Sequence, residues 1–442
     1  MKQDRPTDNA PTSPAAGREA AGARGAAPTV LQRYTRDLTD AARQGRLDPV
    51  VGRDLEIRRL VQILARRVNP NPLLFGPSGV GKTAIVVGLA QRLATGDVPE
   101  GLKRHRLLAL DLDAVLSGVR DRGELEDRLR AVVAELREAR PPGVLVIDDV
   151  HRLLGAELGP VVGVAGVLET ALDRGVRCIA TTTAEGYRAW VATDHALERR
   201  FQPLLVREPS VDETLAILRG LKEPYELHHN VRLRDTALVA AASLAARYLG
   251  DRALPAKALD LLDDAAAAIR VQMESTPQEI DEVQRRLVQF EIERLSLARE
   301  DDDASRERLQ KIESERASLK EEATRLRTQW HAERETIGRI GAVRDELDRS
   351  RQAMAEAEWR GDLARAAELR FATLPALRKR LTELEQALAR HHEHGRLVRE
   401  ELDEDDIAAV VADSTGRDAD GPTQLELVHA ARAASGARRT ST

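Results

Sequence analysis

From about residue 31 to 207, short apolar runs alternate with stretches whose apolar positions recur every three or four residues. Leu73–Phe75, Leu107–Leu112, Val144–Ile147 and Val176–Thr183 are mostly short, largely apolar runs, the pattern of strands buried on both faces. Helical segments separate them, which predicts an α/β fold built on a parallel sheet. From Ser210 to Ile269 the periodicity is mostly helical, and Ser210 with Glu213 three residues on reads as a capping box. Residues 276–400 are charge-dense around two seams. Leu309, Ile312, Leu319, Ala323, Leu326 and Trp330 keep a spacing of three and four, interrupted by Arg316, and Leu377, Leu381, Leu384 and Leu388 do the same. Such seams flanked by Glu, Lys and Arg predict an antiparallel coiled coil, with Gly338 and Gly341 as the reversal between its helices. The expected layout is a disordered tail over 1–30, an α/β subdomain over 31–207 and a helical small subdomain over 208–275. A coiled-coil middle domain over 276–400 and a poorly ordered tail over 401–442 complete it.

Composition narrows the class. A chain of 442 residues exceeds one small core, and its net charge of −5, with both signs interspersed, offers no basic field for nucleic acid. The apolar runs fall far short of the ~20 residues needed to cross a bilayer, and the N-terminus lacks the apolar core of a secretory signal. The single cysteine, Cys178, excludes an internal disulfide framework and fits a reducing compartment. Its place in an apolar strand pattern reads as buried filler rather than as a nucleophile. The expectation is a cytoplasmic protein without membrane or nucleic-acid partners.

The chemistry begins at residues 76–83, Gly-Pro-Ser-Gly-Val-Gly-Lys-Thr, a complete G-x-x-x-x-G-K-[ST] loop between a strand and a helix. Gly76, Gly79 and Gly81 let the backbone curl, so that N–H groups along Gly76, Pro77, Ser78, Gly79, Val80 and Gly81 point at phosphate oxygens, Pro77 giving shape alone. Lys82 reaches the β- and γ-phosphates, and the Thr83 hydroxyl completes a Mg²⁺ shell. A nucleoside triphosphate is the implied ligand. Asp148 and Asp149 close the Val144–Ile147 strand, the first suited to the Mg²⁺ shell and the second to polarising a water. No Asn-Lys-x-Asp selects guanine, which disfavours a GTPase.

Leu47-Asp48-Pro49-Val50-Val51-Gly52-Arg53-Asp54, the phosphate loop, and Ala196-Leu197-Glu198-Arg199-Arg200-Phe201 resemble the first ATPase module of ClpB-type AAA+ disaggregases. The likeness runs over about 31–412, through Leu218–Lys222, Tyr225–His229 and Ala258–Asp263 to Gly361–Arg365 and Leu374–Leu377 in the coiled coil. The family's amino-terminal substrate domain and second ATPase module are not represented, and the expectation is a single-module form. The resemblance implies ATP and Mg²⁺ as ligands, with Lys82, Thr83 and Asp148 as contacts and Val50 and Val51 against the adenine. It also implies Thr183 as a γ-phosphate sensor, otherwise an ordinary strand-end hydroxyl. Arg199 and Arg200 would be fingers acting on a neighbouring subunit's nucleotide, otherwise a surface pair, so that the active unit is an oligomer, a hexameric ring in the family.

Three positions depart from the family. Asp149 stands where it has Glu, pulling the carboxylate back by about 1.5 Å, a scale to which catalytic geometry is sensitive, so slow turnover is expected. Val119-Arg120-Asp121-Arg122-Gly123 has Asp121 where the first pore loop carries an aromatic, which weakens any grip on an extended polypeptide. Ser414–Asp418 replaces Trp-Thr-Gly-Ile-Pro. Phe371 stands at a family tyrosine near the contact with a DnaK-type partner; partner contact and packing against Leu374 and Leu377 both fit, and Trp330 and Trp359 share that choice, the spacing favouring a core place for Trp330. The leading reading is a ClpB-like, ring-forming ATPase of protein quality control or remodelling with weakened threading, for which unfolded protein is one candidate substrate. Its rival is a poorly hydrolysing protein that joins or regulates a full-length ClpB-type ring through the coiled coil.

Overall fold

The computed structural model describes residues 29–119, 122–156, 162–191, 193–299, 302–392, 395–415, 429–430 and 432–433. Six strands form the main sheet: β1 (Thr35–Asp37), β2 (Pro72–Phe75), β3 (Arg106–Leu110), β4 (Gly143–Ile147), β5 (Arg177–Thr182) and β6 (Gln202–Leu205). Their order is β1-β3-β4-β5-β2-β6, parallel except for β1. The four strands expected from the sequence are present to within two residues, and β1 and β6 extend the sheet at its edges. Successive side chains turn to opposite faces, as a pleated strand requires. Leu73, Leu145, Ile147 and Cys178 meet the helices α3 (Arg122–Glu138) and α4 (Val162–Asp173), whereas Leu74, Val144, Val146 and Ile179 meet α1 (Asp54–Leu64) and α2 (Lys82–Thr95). Burial pushes the Cys178 thiol up to about 12, so the cysteine is inert packing.

The small subdomain, the lid, holds α5 (Val211–His229), α6 (Asp235–Tyr248) and α7 (Ala256–Glu274). Its entry is the capping box read from the sequence. Ser210 Oγ accepts the Glu213 N–H at 3.2 Å, and Glu213 Oε2 accepts the Ser210 N–H at 2.7 Å. The coiled-coil arm holds α8 (Gln278–Leu297), the 58-residue α9 (Asp303–Arg360) and α10 (Leu374–His392). Ile280 and Val283 of α8 pack on Ala323 and Leu326, while Leu374 and Leu377 of α10 pack on Val343 and Leu347, which are the two seams. Between them the arm is rooted in the lid, because Ile337, Ile340 and Leu388 share one core with Leu254, Leu261 and Leu262. The fully buried Glu333 fixes the returning chain, its Oε2 accepting the N–H groups of Leu397 (3.1 Å) and Val398 (3.0 Å).

Two expectations are corrected. Helix α9 runs unbroken through Gly338 and Gly341, and the reversal comes at Gly361, a left-handed cap at φ +75°. A Cβ on Gly341 would sit 2.9 Å from Asn230 Nδ2, so this glycine serves close approach of arm and lid. Residues 401–415 are no loose tail. They form β8 (Glu401–Leu402), paired in parallel with β7 (Arg232–Leu233), and α11 (Glu404–Thr415), whose Ile407, Ala408 and Val411 are buried in the lid core. The tail expected over 1–30 lies outside the described residues up to 28, and Thr29 caps a helix that Val30 opens. The rest of the C-terminal tail, apart from 429–430 and 432–433, is also outside them, as are Gly416–Asp418.

Ile407→Ala is expected to destabilise the lid by roughly 2–5 kcal/mol, the range for emptying a buried Ile site. Urea melting followed by circular dichroism checks this, and an unchanged midpoint would return 401–415 to the status of a tail.

Candidate nucleotide site

β5 lies between β2 and β4, with Ala180 opposite both Leu73 and Ile147. The loop after β2 and the acids after β4 therefore emerge at the same end of the sheet, on either side of the end of β5. The loop closes tightly: a side chain at Gly76 would run into the Val206 carbonyl. Gly79 is left-handed at φ +83°, and a Cβ there would lie 2.7 Å from that of Ala256. The lid touches the loop directly, since the N–H groups of Ala253 and Ala256 donate to the carbonyls of Ser78 (3.0 Å) and Gly79 (3.3 Å).

A cavity of about 600 Å³ opens here. Val50 and Val51 face it together with Ile217, Leu221 and Leu259 of the lid, an apolar slot suited to a base. Ser78 to Thr83, Asp148 and Asp149 line it as well. Gly76 and Pro77 do not; their carbonyls receive Lys82 Nζ at 3.1 and 2.9 Å. Burial pulls the Lys82 ammonium below the ordinary lysine range, against the attraction of Asp149 and Asp148.

Thr83 Oγ1 donates to Asp148 Oδ2 at 2.8 Å. These two hard oxygens fit Mg²⁺, which takes few protein ligands and shares its shell with substrate phosphates. No cluster of three or more His, Cys, Asp or Glu suited to a metal occurs among the described residues. Asp149 adopts a left-handed backbone at φ +47° and leaves its carboxylate half-exposed, 4.0 Å from His151 Nδ1.

Not every expected residue joins this cluster. Thr183 does not line the cavity; it caps the following turn, its Oγ1 accepting the Gly186 N–H at 2.9 Å. Arg199 and Arg200 sit at the opposite end of β2, where Asn69 and Asn71 donate to their carbonyls at 2.7 and 3.1 Å and Gln202 pairs with Pro72. The two differ. Arg200 forks onto Asp173 through Nε (2.8 Å) and Nη2 (2.7 Å), holding that carboxyl below the usual range. The exposed Arg199 guanidinium makes no hydrogen bond or ion pair among the described residues. Arg120 and Asp121 lie outside the described residues.

Besides the lid residues of the slot, two hydrogen-bonding residues escaped sequence reasoning. Buried Arg53 donates from Nη2 to the Val80 carbonyl at 2.7 Å, clamping the loop from below. Fully buried Thr181 contacts both Asp148 and Asp149. The available signal was a basic residue inside the Val50–Asp54 motif and, for Thr181, a hydroxyl one position beyond the residue that pairs with Ile147.

Two family models match the chain: an ATPase family associated with various cellular activities (AAA) over residues 72–202, and an AAA lid domain over 210–314. Chaperone protein ClpB 1 of Thermosynechococcus vestitus is 50% identical over 389 residues, covering 87% of this chain and 45% of that protein. ClpB of Nitratidesulfovibrio vulgaris is 48% identical over 388 residues, covering 87% of this chain and 44% of its own. Among solved structures, S. cerevisiae Hsp104 in complex with ADP is similar at a TM-score of 0.75 and 41% identity, over 87% of this chain and 55% of that one. The chain thus spans about half the length of these relatives. Over that shared part it belongs to the ClpB-type AAA+ family, as a first-type ATPase module followed by the middle coiled coil.

Proposed function

We propose that this chain binds ATP with Mg²⁺ in the cleft between sheet and lid and hydrolyses it, as a ring-forming cytoplasmic ATPase of protein remodelling. The observation that carries this reading is the convergence of Ser78–Thr83, Asp148 and Asp149 with the apolar slot of Val50 and Val51 in one cavity. Loop N–H groups and Lys82 hold the phosphates, while Thr83 and Asp148 hold Mg²⁺, which neutralises phosphate charge when bound. Asp149 orients the attacking water, with the reach of an aspartate. The Thr183 oxygen accepts from Gly186 and so keeps its own O–H to donate toward a γ-phosphate. Arg199 and Arg200 stand too far along β2 for their own site, which suits action on a neighbour in a ring, and a permanently charged guanidinium suits the transferring phosphoryl group. Arg199 is ready for that role, whereas Arg200 must first leave Asp173.

Asp121 supplies charge where an aromatic would grip a polypeptide, so threading of unfolded protein is weak in this reading. The alternative, a poorly hydrolysing partner of a full-length ClpB-type ring, draws support from the arm. Trp359, Leu363 and Phe371 are exposed around the Gly361 turn, Phe371 at 77%, which disfavours a packing role for Phe371 and leaves a surface for a DnaK-type or ClpB-type partner.

Lys82→Ala is expected to weaken ATP binding at least about tenfold, or 1.4 kcal/mol, because it removes the loop's phosphate-facing ammonium. Unchanged affinity by calorimetry would take the loop out of the site. Asp149→Asn keeps a residue tolerant of the left-handed backbone and is expected to abolish phosphate release while sparing ATP binding. Equal release by both proteins, with and without unfolded protein, favours the regulator. ATP is expected to shift sedimentation toward a larger species, since nucleotide at a subunit boundary adds contacts found only in the oligomer. Arg199→Ala should blunt that response more than Arg200→Ala. A monomer at all nucleotide concentrations excludes fingers acting between subunits.

A further inference from the structure

Thr181 lies near the end of β5 with no solvent exposure, between the loop strand and the acid strand. Its hydroxyl donates to Asp148 Oδ1 and accepts the Asp149 backbone N–H at 2.9 Å. A hydroxyl has one proton and two lone pairs, so a single group is committed to both acids. The consequence for Asp148 is orientation. With Oδ1 held by Thr181, Oδ2 is the oxygen left for Thr83 Oγ1, at 2.8 Å. The consequence for Asp149 is backbone shape, because its N–H bond anchors the turn that takes φ to +47°.

We infer that Thr181 is a positioning residue for the Mg²⁺ shell, holding the Asp148 carboxylate so that one oxygen faces Thr83. The inference rests on the proposed ATP–Mg²⁺ site and adds the residue that aligns it. Thr181 does not line the cavity and acts through Asp148.

Thr181→Val keeps the volume and deletes the hydroxyl, whereas Thr181→Ser keeps the hydroxyl and loses a methyl group. Calorimetric ATP affinity of the full chain is measured in Mg²⁺ and in EDTA, alongside the melting temperature without nucleotide. A bond from a neutral hydroxyl to a carboxylate is among the stronger hydrogen bonds, so Thr181→Val is expected to bind ATP about tenfold more weakly in Mg²⁺. Affinity in EDTA should be unchanged. Thr181→Ser should retain the Mg²⁺ response of the unmodified protein even where its melting temperature falls further, an ordering that a packing role would not give. If Thr181→Val does not fold, Thr181→Ala enters the same comparison. A Mg²⁺ response unchanged in the hydroxyl-free variant, or lost equally in the serine variant, overturns the inference and leaves the nucleotide site standing. Failure of the unmodified protein to bind ATP overturns the nucleotide site, and this inference falls with it.

Discussion

β5 hydrogen-bonds to β2 on one side and to β4 on the other, and the site follows from that double pairing. A parallel ladder fixes which strand ends lie side by side. With Ala180 opposite both Leu73 and Ile147, the phosphate loop and the two acids leave the sheet at one level, and Thr181 falls between them. A slip of one residue would turn every inward side chain of β5 to the other face. Cys178 and Ala180 pack in one buried layer and Ile179 in the other, so that slip would drive the larger Ile179 into space filled by small side chains. The lid adds a second constraint, bonding its own backbone to Ser78 and Gly79 and closing the apolar slot over Val50 and Val51.

Much of this was legible in the sequence for local reasons. The loop, the acids at a strand end and the capping box are each contained within eight residues or fewer, and each carries its own geometry. The arm seams were legible because heptad spacing is a direct image of packing. Long-range features were not. Gly338 and Gly341 read as breakers because each costs about 1 kcal/mol in an isolated helix, a cost that packing along α9 against α8, α10 and the lid outweighs. Ile407, Ala408 and Val411 sit among acids that suggested a solvated tail, and only the open face of the lid core explains their burial. Of three consecutive threonines the family resemblance singled out the last, Thr183, whereas Thr181 meets the acids, because strand register decides which hydroxyl does so.

The shorter acid at Asp149 has a structural counterpart. Left-handed backbone is several-fold enriched in Asp and Asn over most other side chains. The residue whose reach is reduced is thus also one that suits the conformation in which it is held. Arg199 and Arg200 show the opposite case, two identical neighbours that the fold treats differently: one is braced on Asp173 and one is left exposed.

The shared core of lid and arm root turns α9 into a lever. Ile337 and Ile340 are lid residues in all but chain position, so the arm cannot pivot freely at its base. At 1.5 Å per residue, α9 extends roughly 30 Å from this fulcrum to the Gly361 turn and roughly 51 Å to its other end. A lid rotation of about 10° would sweep these tips through roughly 5 and 9 Å in opposite directions, given that helix rise. The lid backbone is bonded to the phosphate loop at Ser78 and Gly79, and Ala355 near the exposed aromatic end of the arm lies against Gly45 of the α/β subdomain, so the arm is coupled to both subdomains.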